Sequence, residues 1–429
     1  MTSRPTNENY EAILIGGGPA GSTAACALAQ KGHRVLVLER QQFPRFHIGE
    51  SLLPASNAVF RSLGVEEKLR REAFVRKRGA SFITEDDELS AYIDFTDCSK
   101  VPSPVTYQVP RARFDQLLLE HAQACGAEVR FGWHARQVEF TPDGAQLTAR
   151  DEQGHKHSLS TQMVLDASGQ AGFLSKRLGL RQPDPELRGL ALHAQFEGIP
   201  PLEGERSGDI RIISRFDMGW IWLIPLGESL TSVGLVLPKQ RLQTQDGESK
   251  EEAFERLLRS TPAMERRLAH ATRTSPVRAE ADFSYAPTAY AGDRWLLVGD
   301  AGSFLDPVFS TGVLLALESG LEAAEFCHQS LRAERFESPR FRDYENLQRR
   351  RYQFFRQFVR GFYDPAFRDL FFYPTQRFGL LDALVGAFAG HWRPSVPARA
   401  RIAAFFLLTH LQRRFALVPR LHGFDHPSG

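Results

Sequence analysis

The sequence predicts an α/β protein in which a parallel-sheet domain is interleaved with a second, β-sheet domain and followed by a helical C-terminal region. Three observations predict it. Residues 10–40 read as strand, glycine turn, helix, strand. Strand-like text returns over 135–165 and 187–240 without a linker or a repeat in between. After about residue 332 the chain turns helical and rich in Arg and Phe.

Each segment has its own physical cue. YEAILIGG is a short apolar, β-favouring run that stops at glycines. PAGSTAACALAQKGH has helical spacing and closes at Gly32, a residue suited to ending a helix. RVLVLER is a second apolar strand, so 10–40 form a βαβ unit. Residues 71–93 read as strands and turns, and RARFDQLLLEHAQACGAEVRFG as helix, glycine stop and strand. Alternation over 135–165 predicts a meander turning at Pro142-Asp143-Gly144. GWIWLIPL and LTSVGLVLP are strands, and EEAFERLLRS is a helix. RWLLVGDAGSFLDPVFSTGVLLALESGLEAAEFCHQSL reads as strand, polar turn and helix.

The 429 residues are 42% hydrophobic and 24% charged, which excludes disorder, collagen and coiled coil as the main structure. Lys and Arg number 53 against 51 acidic residues, so no global field selects nucleic acid. Phe is abundant at 32 copies beside 4 Met, as suits a large aromatic core or a flat ligand. Cys26, Cys98, Cys125 and Cys327 lie far apart, with no CxxC and no His cluster at metal spacing. Neither disulfides nor a metal is expected. No signal peptide and no run of about 18 apolar residues is read, so a reducing cytoplasm is the expected compartment.

Gly16-Gly17-Gly18-Pro19-Ala20-Gly21 is G-x-G-x-x-G between a strand and a helix. Gly16 permits the tight turn, Gly18 lets backbone approach a pyrophosphate, and Gly21 lets helix and strand pack closely. The helix N-terminus offers free N–H groups and a positive dipole end to phosphates. Glu39 ends the second strand, where a carboxylate accepts from ribose hydroxyls and repels a 2′-phosphate. About 280 residues downstream, an apolar strand ends in Gly299-Asp300, followed by Asp306-Pro307 and a helix starting near Thr311. That pairing resembles two-part FAD domains. The resemblance implies that Asp300 binds the ribityl chain and that the following helix aims its N-terminus at the flavin.

Further motifs occur in a telling order: Phe46-His47-Ile48-Gly49-Glu50-Ser51-Leu52-Leu53-Pro54, Lys77-Arg78-Gly79-Ala80, Arg111-Ala112-Arg113-Phe114-Asp115, Asp166-Ala167-Ser168-Gly169, Trp220-Ile221-Trp222-Leu223-Ile224-Pro225, and Gly299 through Gly312. Over roughly residues 8–330 the chain resembles the flavin-dependent halogenases, whose fold is that of the p-hydroxybenzoate hydroxylase type. It looks closest to the shorter members that halogenate pyrrolyl or phenolic groups on carrier proteins. W-x-W-x-I-P is the most specific motif.

The resemblance implies a division into an FAD-binding domain (1–185 and 285–330, holding part of the substrate sheet around 75–110), a substrate-side sheet (186–284) and a helical substrate- or partner-binding region (331–429). It implies FAD, used as FADH2, with O2 and chloride or bromide. Gly16, Gly18, Pro19, Ala20, Gly21, Glu39 and Arg40 would hold the cofactor together with Ile48, Gly49, Glu50, Ser51, Arg111, Asp300, Pro307 and Gly312. His47 is a further contact of that loop. Hypohalous acid made at the flavin would pass through a tunnel to Lys77, beside the aromatic substrate. Lys77 can hydrogen-bond the oxidant, or become a haloamine if its pKa is depressed. Arg76 and Arg78 point to the opposite face of a strand from Lys77, although an RKR run is commonly a solvated patch.

Trp220, Trp222 and Ile224 share one strand face by period two. The two tryptophans would fill space at the flavin and keep organic substrate off it. Halide would sit near the amides of Ser310-Thr311-Gly312. Phe309 stands where tryptophan halogenases carry a Glu, which argues against free tryptophan and leaves the lysine alone or with Ser310.

No second glycine-rich fingerprint for a pyridine nucleotide is read; independently of that, the resemblance implies a separate NAD(P)H flavin reductase. Residues 332–429 hold 17 Arg, no Lys and 8 acidic residues. Three readings follow: docking of an acidic acyl or peptidyl carrier protein, peripheral contact with an anionic membrane surface, or a helical cap whose Arg stems cover apolar surface. The competing functions on the same fold are an aromatic monooxygenase, a reductase of the geranylgeranyl type, and a non-catalytic prenyl-escort-like protein.

Overall fold

A computed structural model describes residues 8–97, 103–239, 247–281, 284–373 and 380–423; Cys98 lies outside them. The chain opens with β1 (Glu8–Ile15), α1 (Pro19–Gln30) and β2 (Val35–Glu39). Two short helices follow, α2 (Ser56–Leu63) and α3 (Glu66–Arg71), for which the sequence carries no clear signal. They span too few turns for a clear period. Next come β3 (Val75–Lys77), β4 (Gly79–Thr84), β5 (Ser90–Asp94), β6 (Thr106–Gln108) and α4 (Arg111–Ala124). After β7 (Glu128–Phe131), which pairs with β2, the meander is β8 (His134–Thr141), β9 (Gly144–Arg150) and β10 (Lys156–Asp166), followed by α5 (Phe173–Arg177) and β11 (Arg181–Pro183). The second sheet uses β12 (Gly189–Glu197), β13 (Ile210–Ser214), β14 (Trp220–Pro225) and β15 (Leu230–Pro238). After α6 (Lys250–Arg259) and α7 (Pro262–Arg267) come five short strands: β16 (Thr272–Arg273), β17 (Arg278–Ala281), β18 (Tyr285–Pro287), β19 (Ala291–Gly292) and β20 (Trp295–Leu297). The end is helical: α8 (Gly312–Ala333), α9 (Arg342–Phe362), α10 (Pro365–Phe372), α11 (Leu380–Phe388) and α12 (Val396–Phe415).

Two eight-stranded sheets organise these elements, with the fold class the sequence predicts. The first runs β19-β20-β10-β1-β2-β7, with β8 and β9 attached to β10. β1 pairs in parallel with both β2 and β10, as a βαβ unit requires. One face packs against α1, α4 and α8 through residues such as Ala24, Leu28, Phe114 and Leu317. The second sheet runs β16-β12-β15-β14-β13-β4-β5. β4 and β5 therefore carry the chain into this sheet long before residue 186. Period two splits β14 between two cores. Ile221 and Leu223 pack with Phe254 and Leu258 of α6, while Trp220, Trp222 and Ile224 join the aromatic layer of the C-terminal helices.

The C-terminal arginines do not form one basic face. Arg351 and Arg368 are fully buried. Arg351 pairs with Glu318 and Glu322 of α8, and Arg368 donates to the carbonyls of Arg215 and Met218. Arg356 and Arg360 bind Asp184 and Glu186, and Arg413 binds Asp364. These arginines thus tie the C-terminal helices to one another, to α8 and to the segments beside β11 and β13.

One glycine sets the tryptophan wall. Gly234 lies directly opposite Trp222, and a Cβ there would come 2.1 Å from the Trp222 ring. Gly234→Ala is therefore expected to destabilise the fold by about 1–3 kcal/mol through overpacking. Thermal denaturation measures this; an unchanged midpoint would mean that the ring shifts freely.

Candidate active site

The phosphate cradle is built by close approach. Gly16 has φ +105°, and a Cβ on Gly21 would sit 1.9 Å from the Gly16 carbonyl oxygen. α1 starts with Gly18 as its N-cap and Pro19 in the first turn, without a side-chain cap. Its first amides are left to a ligand. A Cβ on Gly18 would meet only the tip of Arg45, so this glycine keeps an approach open.

From the cradle a cavity of about 650 Å³ extends between the sheets. That lies in the range of about 300–1,000 Å³ usual for ligand pockets. Its wall brings together Gly16, Gly18, Pro19, Ala20, Glu39, Arg40, Ile48, Gly49, Glu50, Ser51, Arg111, Trp220, Trp222, Asp300, Pro307, Ser310 and Gly312. Three expected residues are not on it. Gly21 acts by packing against Gly16. Thr311 is buried at the N-cap of α8. Lys77 stands behind Ser51. The wall fits the FAD implied by the sequence: a glycine cradle, an acidic residue ending β2 and the start of α8.

Glu39 is buried and accepts from the amides of Gly17 and Gln41, both at 2.8 Å, so it braces the glycine loop as well as facing the cavity. Arg111 opens α4, grips Asp115 through two bonds of 2.7 and 2.9 Å, and donates to the Ile48 carbonyl. It thereby anchors the 46–51 loop. Burial pushes the Glu50 and Asp300 carboxyls up to about 7, against the pull of Arg111 on both. His47 is pushed down to about 4 by burial and by Arg111, which keeps it neutral at physiological pH.

Lys77 ends β3 and is 1% exposed. Its Nζ donates to Ser51 Oγ at 2.8 Å and to the Leu52 carbonyl at 2.9 Å, and lies 5.3 Å from the centre of the Phe95 ring. Ser51, rather than Ser310, is its hydroxyl partner; Ser310 lines the cavity in a left-handed turn at φ +57°. Burial lowers the Lys77 ammonium to about 7, partly offset by Asp209. Asp209 accepts from the amides of Arg78 and Gly79 and from the Tyr92 hydroxyl, at 2.7, 2.9 and 2.7 Å. It pins the turn that follows the lysine. Arg76 is exposed, as its strand face predicts.

Sequence reasoning missed several groups. Trp220 Nε1 donates to Tyr363 at 3.0 Å, and Tyr363 donates to Asp306 at 2.6 Å, joining α9 to the turn before α8. His193, Arg278 and Phe46 close one end of the cavity, with Phe46 stacked on His193 and Arg278 3.8 Å from the Phe46 ring centre. His193 and Arg278, isolated residues on separate strands, leave no local signal, whereas Phe46 belongs to the Phe46–Pro54 motif of the sequence. Phe309 stacks on Phe388 at 4.6 Å inside the aromatic layer, with no carboxylate at that position.

The expectation of no metal spacing needs correction in space. Cys26 of α1 and His121 and Cys125 at the end of α4 put their donor atoms within 4.8 Å of one another. Both His121 nitrogens are engaged, Nδ1 by Lys68 Nζ at 3.0 Å and Nε2 by the Leu63 carbonyl at 2.9 Å. A cation there would meet an ammonium.

The raised Glu50 and Asp300 carboxyls predict a pH effect on flavin-free protein. The unfolded chain releases these protons near 4, the folded chain only near 7, so stability falls as pH rises between those values. Glu50→Gln removes the Glu50 share, on the order of 3 kcal/mol at pH 8. The variant's melting midpoint should gain on wild type from pH 4 to 8; a difference independent of pH would contradict the assignment.

Known proteins place this geometry. The family described as FAD binding domain matches residues 9–325. A Pseudomonas fluorescens chlorinase of 1H-pyrrole-2-carbonyl groups on a peptidyl-carrier protein is 33% identical over 405 residues, covering 89% of this chain and 90% of its own. The solved structure of a myxobacterial chondrochloren halogenase matches with TM-score 0.78 at 34% identity, covering 97% of this chain and 99% of its own. A flavin-dependent brominase matches with TM-score 0.83 at 28% identity, covering 93% and 99%.

Proposed function

The chain belongs to the flavin-dependent halogenases, enzymes that bind FAD, and on that premise we propose that it halogenates an electron-rich phenolic or pyrrolyl ring with hypohalous acid directed by Lys77. The observation that carries this reading is the placement of Lys77: buried, and hydrogen-bonded to a serine on the cavity wall. When bound and reduced, FAD supplies hypohalous acid from O2 and chloride or bromide. The protein's own groups do the rest. Gly16, Gly18 and the first turn of α1 hold the phosphates, Glu39 meets ribose, and Asp300 the ribityl chain. Trp220 and Trp222 keep organic substrate off the flavin, and the amides around Ser310 to Gly312 border the halide position. Ser51 stands between this chamber and Lys77, and Lys77 holds the oxidant by its N–H groups.

On its far side Lys77 meets Phe95, which belongs to the same apolar layer as Phe82, Phe309, Phe362, Phe371 and Phe388. A ring reaches the lysine by parting this layer. A carrier-borne substrate suits that demand, because docking energy from the carrier can offset the displaced packing. The peptidyl-carrier substrate of the pyrrolyl chlorinase supports a carrier as partner, and an NAD(P)H flavin reductase supplies FADH2. The Phe at position 309 favours rings other than free tryptophan. Residues 1–185 with 285–330 form the FAD-binding unit, apart from the stretch around 75–110 that adds strands to the substrate-side sheet of 186–284, and 331–429 form the region facing substrate or partner. Exposed apolar and basic side chains of α12, such as Leu407, Phe415 and Arg414, are the place for contact with a carrier or a membrane surface.

Turnover with FAD, NADH and a reductase, in chloride or bromide, over free and carrier-tethered phenols and pyrroles tests the function; hydroxylated products in place of halogenated ones would reject it. Lys77→Ala is expected to lower halogenated product by about 100-fold or more while FADH2 oxidation and peroxide release continue. Product formation at the wild-type rate would remove Lys77 from the reaction.

A further inference from the structure

Two buried polar atoms near Lys77 lack a hydrogen-bond partner among the described residues: Thr106 Oγ1 and Gln108 Oε1. Both residues are 0% exposed. They lie on β6, which pairs antiparallel with β3, so that Thr106 stands opposite Lys77 and Gln108 opposite Val75. Opposed residues of an antiparallel pair project to the same face. Thr106 and Gln108 therefore share the face of Lys77, while Arg76 and Tyr107 occupy the other, which is exposed or half-buried. On the second edge of β6, Ser51 bridges to Gln108 and adds its hydroxyl to the same face. The result is a closed polar patch of Ser51, Lys77, Thr106 and Gln108, of which Ser51 also lines the cavity.

The patch has unused hydrogen-bonding capacity of a definite kind. An ammonium has three donors, and Lys77 directs two of them to Ser51 and Leu52. Gln108 directs its Nε2 to the Gly208 carbonyl at 3.1 Å, leaving its oxygen as a bare acceptor. Thr106 keeps a hydroxyl that both donates and accepts. Buried groups left open in this way are costly unless a ligand or water completes them. The complement is a small neutral molecule with one O–H and one accepting oxygen.

We propose that Thr106 and Gln108, together with Lys77, form the binding site in which hypohalous acid is held after passing Ser51; this rests on the halogenase reading above. Gln108 Oε1 accepts the O–H. The third N–H of Lys77 and the Thr106 hydroxyl donate to the oxygen. The halogen is left unheld and turned away from the patch. In the transfer, a ring carbon bonds to the halogen as the halogen–oxygen bond breaks. The bond pair leaves on oxygen, which takes the Lys77 proton and departs as water. The ring then loses its C–H proton to the neutral amine, restoring aromaticity and the ammonium. The sum is ring C–H plus hypohalous acid giving ring C–halogen plus water.

Thr106→Val removes the hydroxyl at constant shape. The test measures halogenated product per FADH2 oxidised, in bromide over the phenol and pyrrole panel, with monochlorodimedone in solution to trap escaped oxidant. Coupling should fall about tenfold, the worth of one hydrogen bond. The trapped fraction should rise, flavin oxidation should hold, and Thr106→Ser should restore coupling. Thr106→Val at wild-type coupling overturns the inference. Should that variant fail to fold, Gln108→Met is judged by the same ratio. Wild-type enzyme that yields neither product nor trapped oxidant sinks the halogenase reading itself, whereas a halogenating wild type with an indifferent Thr106→Val sinks only this site.

Discussion

A lysine ammonium without water around it must be met by acceptors, and that requirement at Lys77 shapes the centre of this molecule. The acceptors come from residues 51 and 52, a segment running along the free edge of β6. The same segment continues back through Glu50 and Gly49 into the cavity wall, where Arg111 holds it. Holding the lysine and shaping the flavin loop are therefore one construction. The turn after the lysine is fixed separately, by Asp209 reaching over from just before β13. A buried carboxylate close by also favours the charged form of the amine, opposing the desolvation that would otherwise neutralise it.

The second constraint is steric. Two tryptophans two residues apart on a sheet face need room that a neighbouring strand with side chains would deny. Gly234 provides it opposite Trp222, and Trp222 is then pinned by Ser232 at 3.2 Å. Trp220 is pinned from another element, through Tyr363 and Asp306. The wall is thus rigid because helix, strand and turn each contribute one bond. The C-terminal helices are part of the same structure: buried Arg351 satisfies carboxylates of α8, buried Arg368 satisfies carbonyls of the turn between β13 and β14, and the phenylalanines of these helices fill the layer behind the lysine.

Much was legible from the sequence alone, because it depends on local chemistry. The glycine spacing before α1, the acidic end of β2, the Gly-Asp before α8 and the period-two split of the WIWLIP strand follow from backbone sterics and strand geometry. The motif order sufficed for the family. Tertiary structure decided the rest. Which hydroxyl meets Lys77 depends on the pairing of residue 51 with β6, a register that no local pattern records. The meeting of Cys26, His121 and Cys125 depends on α1 lying against α4, and the burial of Arg351 and Arg368 on which carboxylates and carbonyls their helices face. Short-range rules specify what each segment can be; burial of charge, and the partners that charge requires, are settled only when distant segments pack.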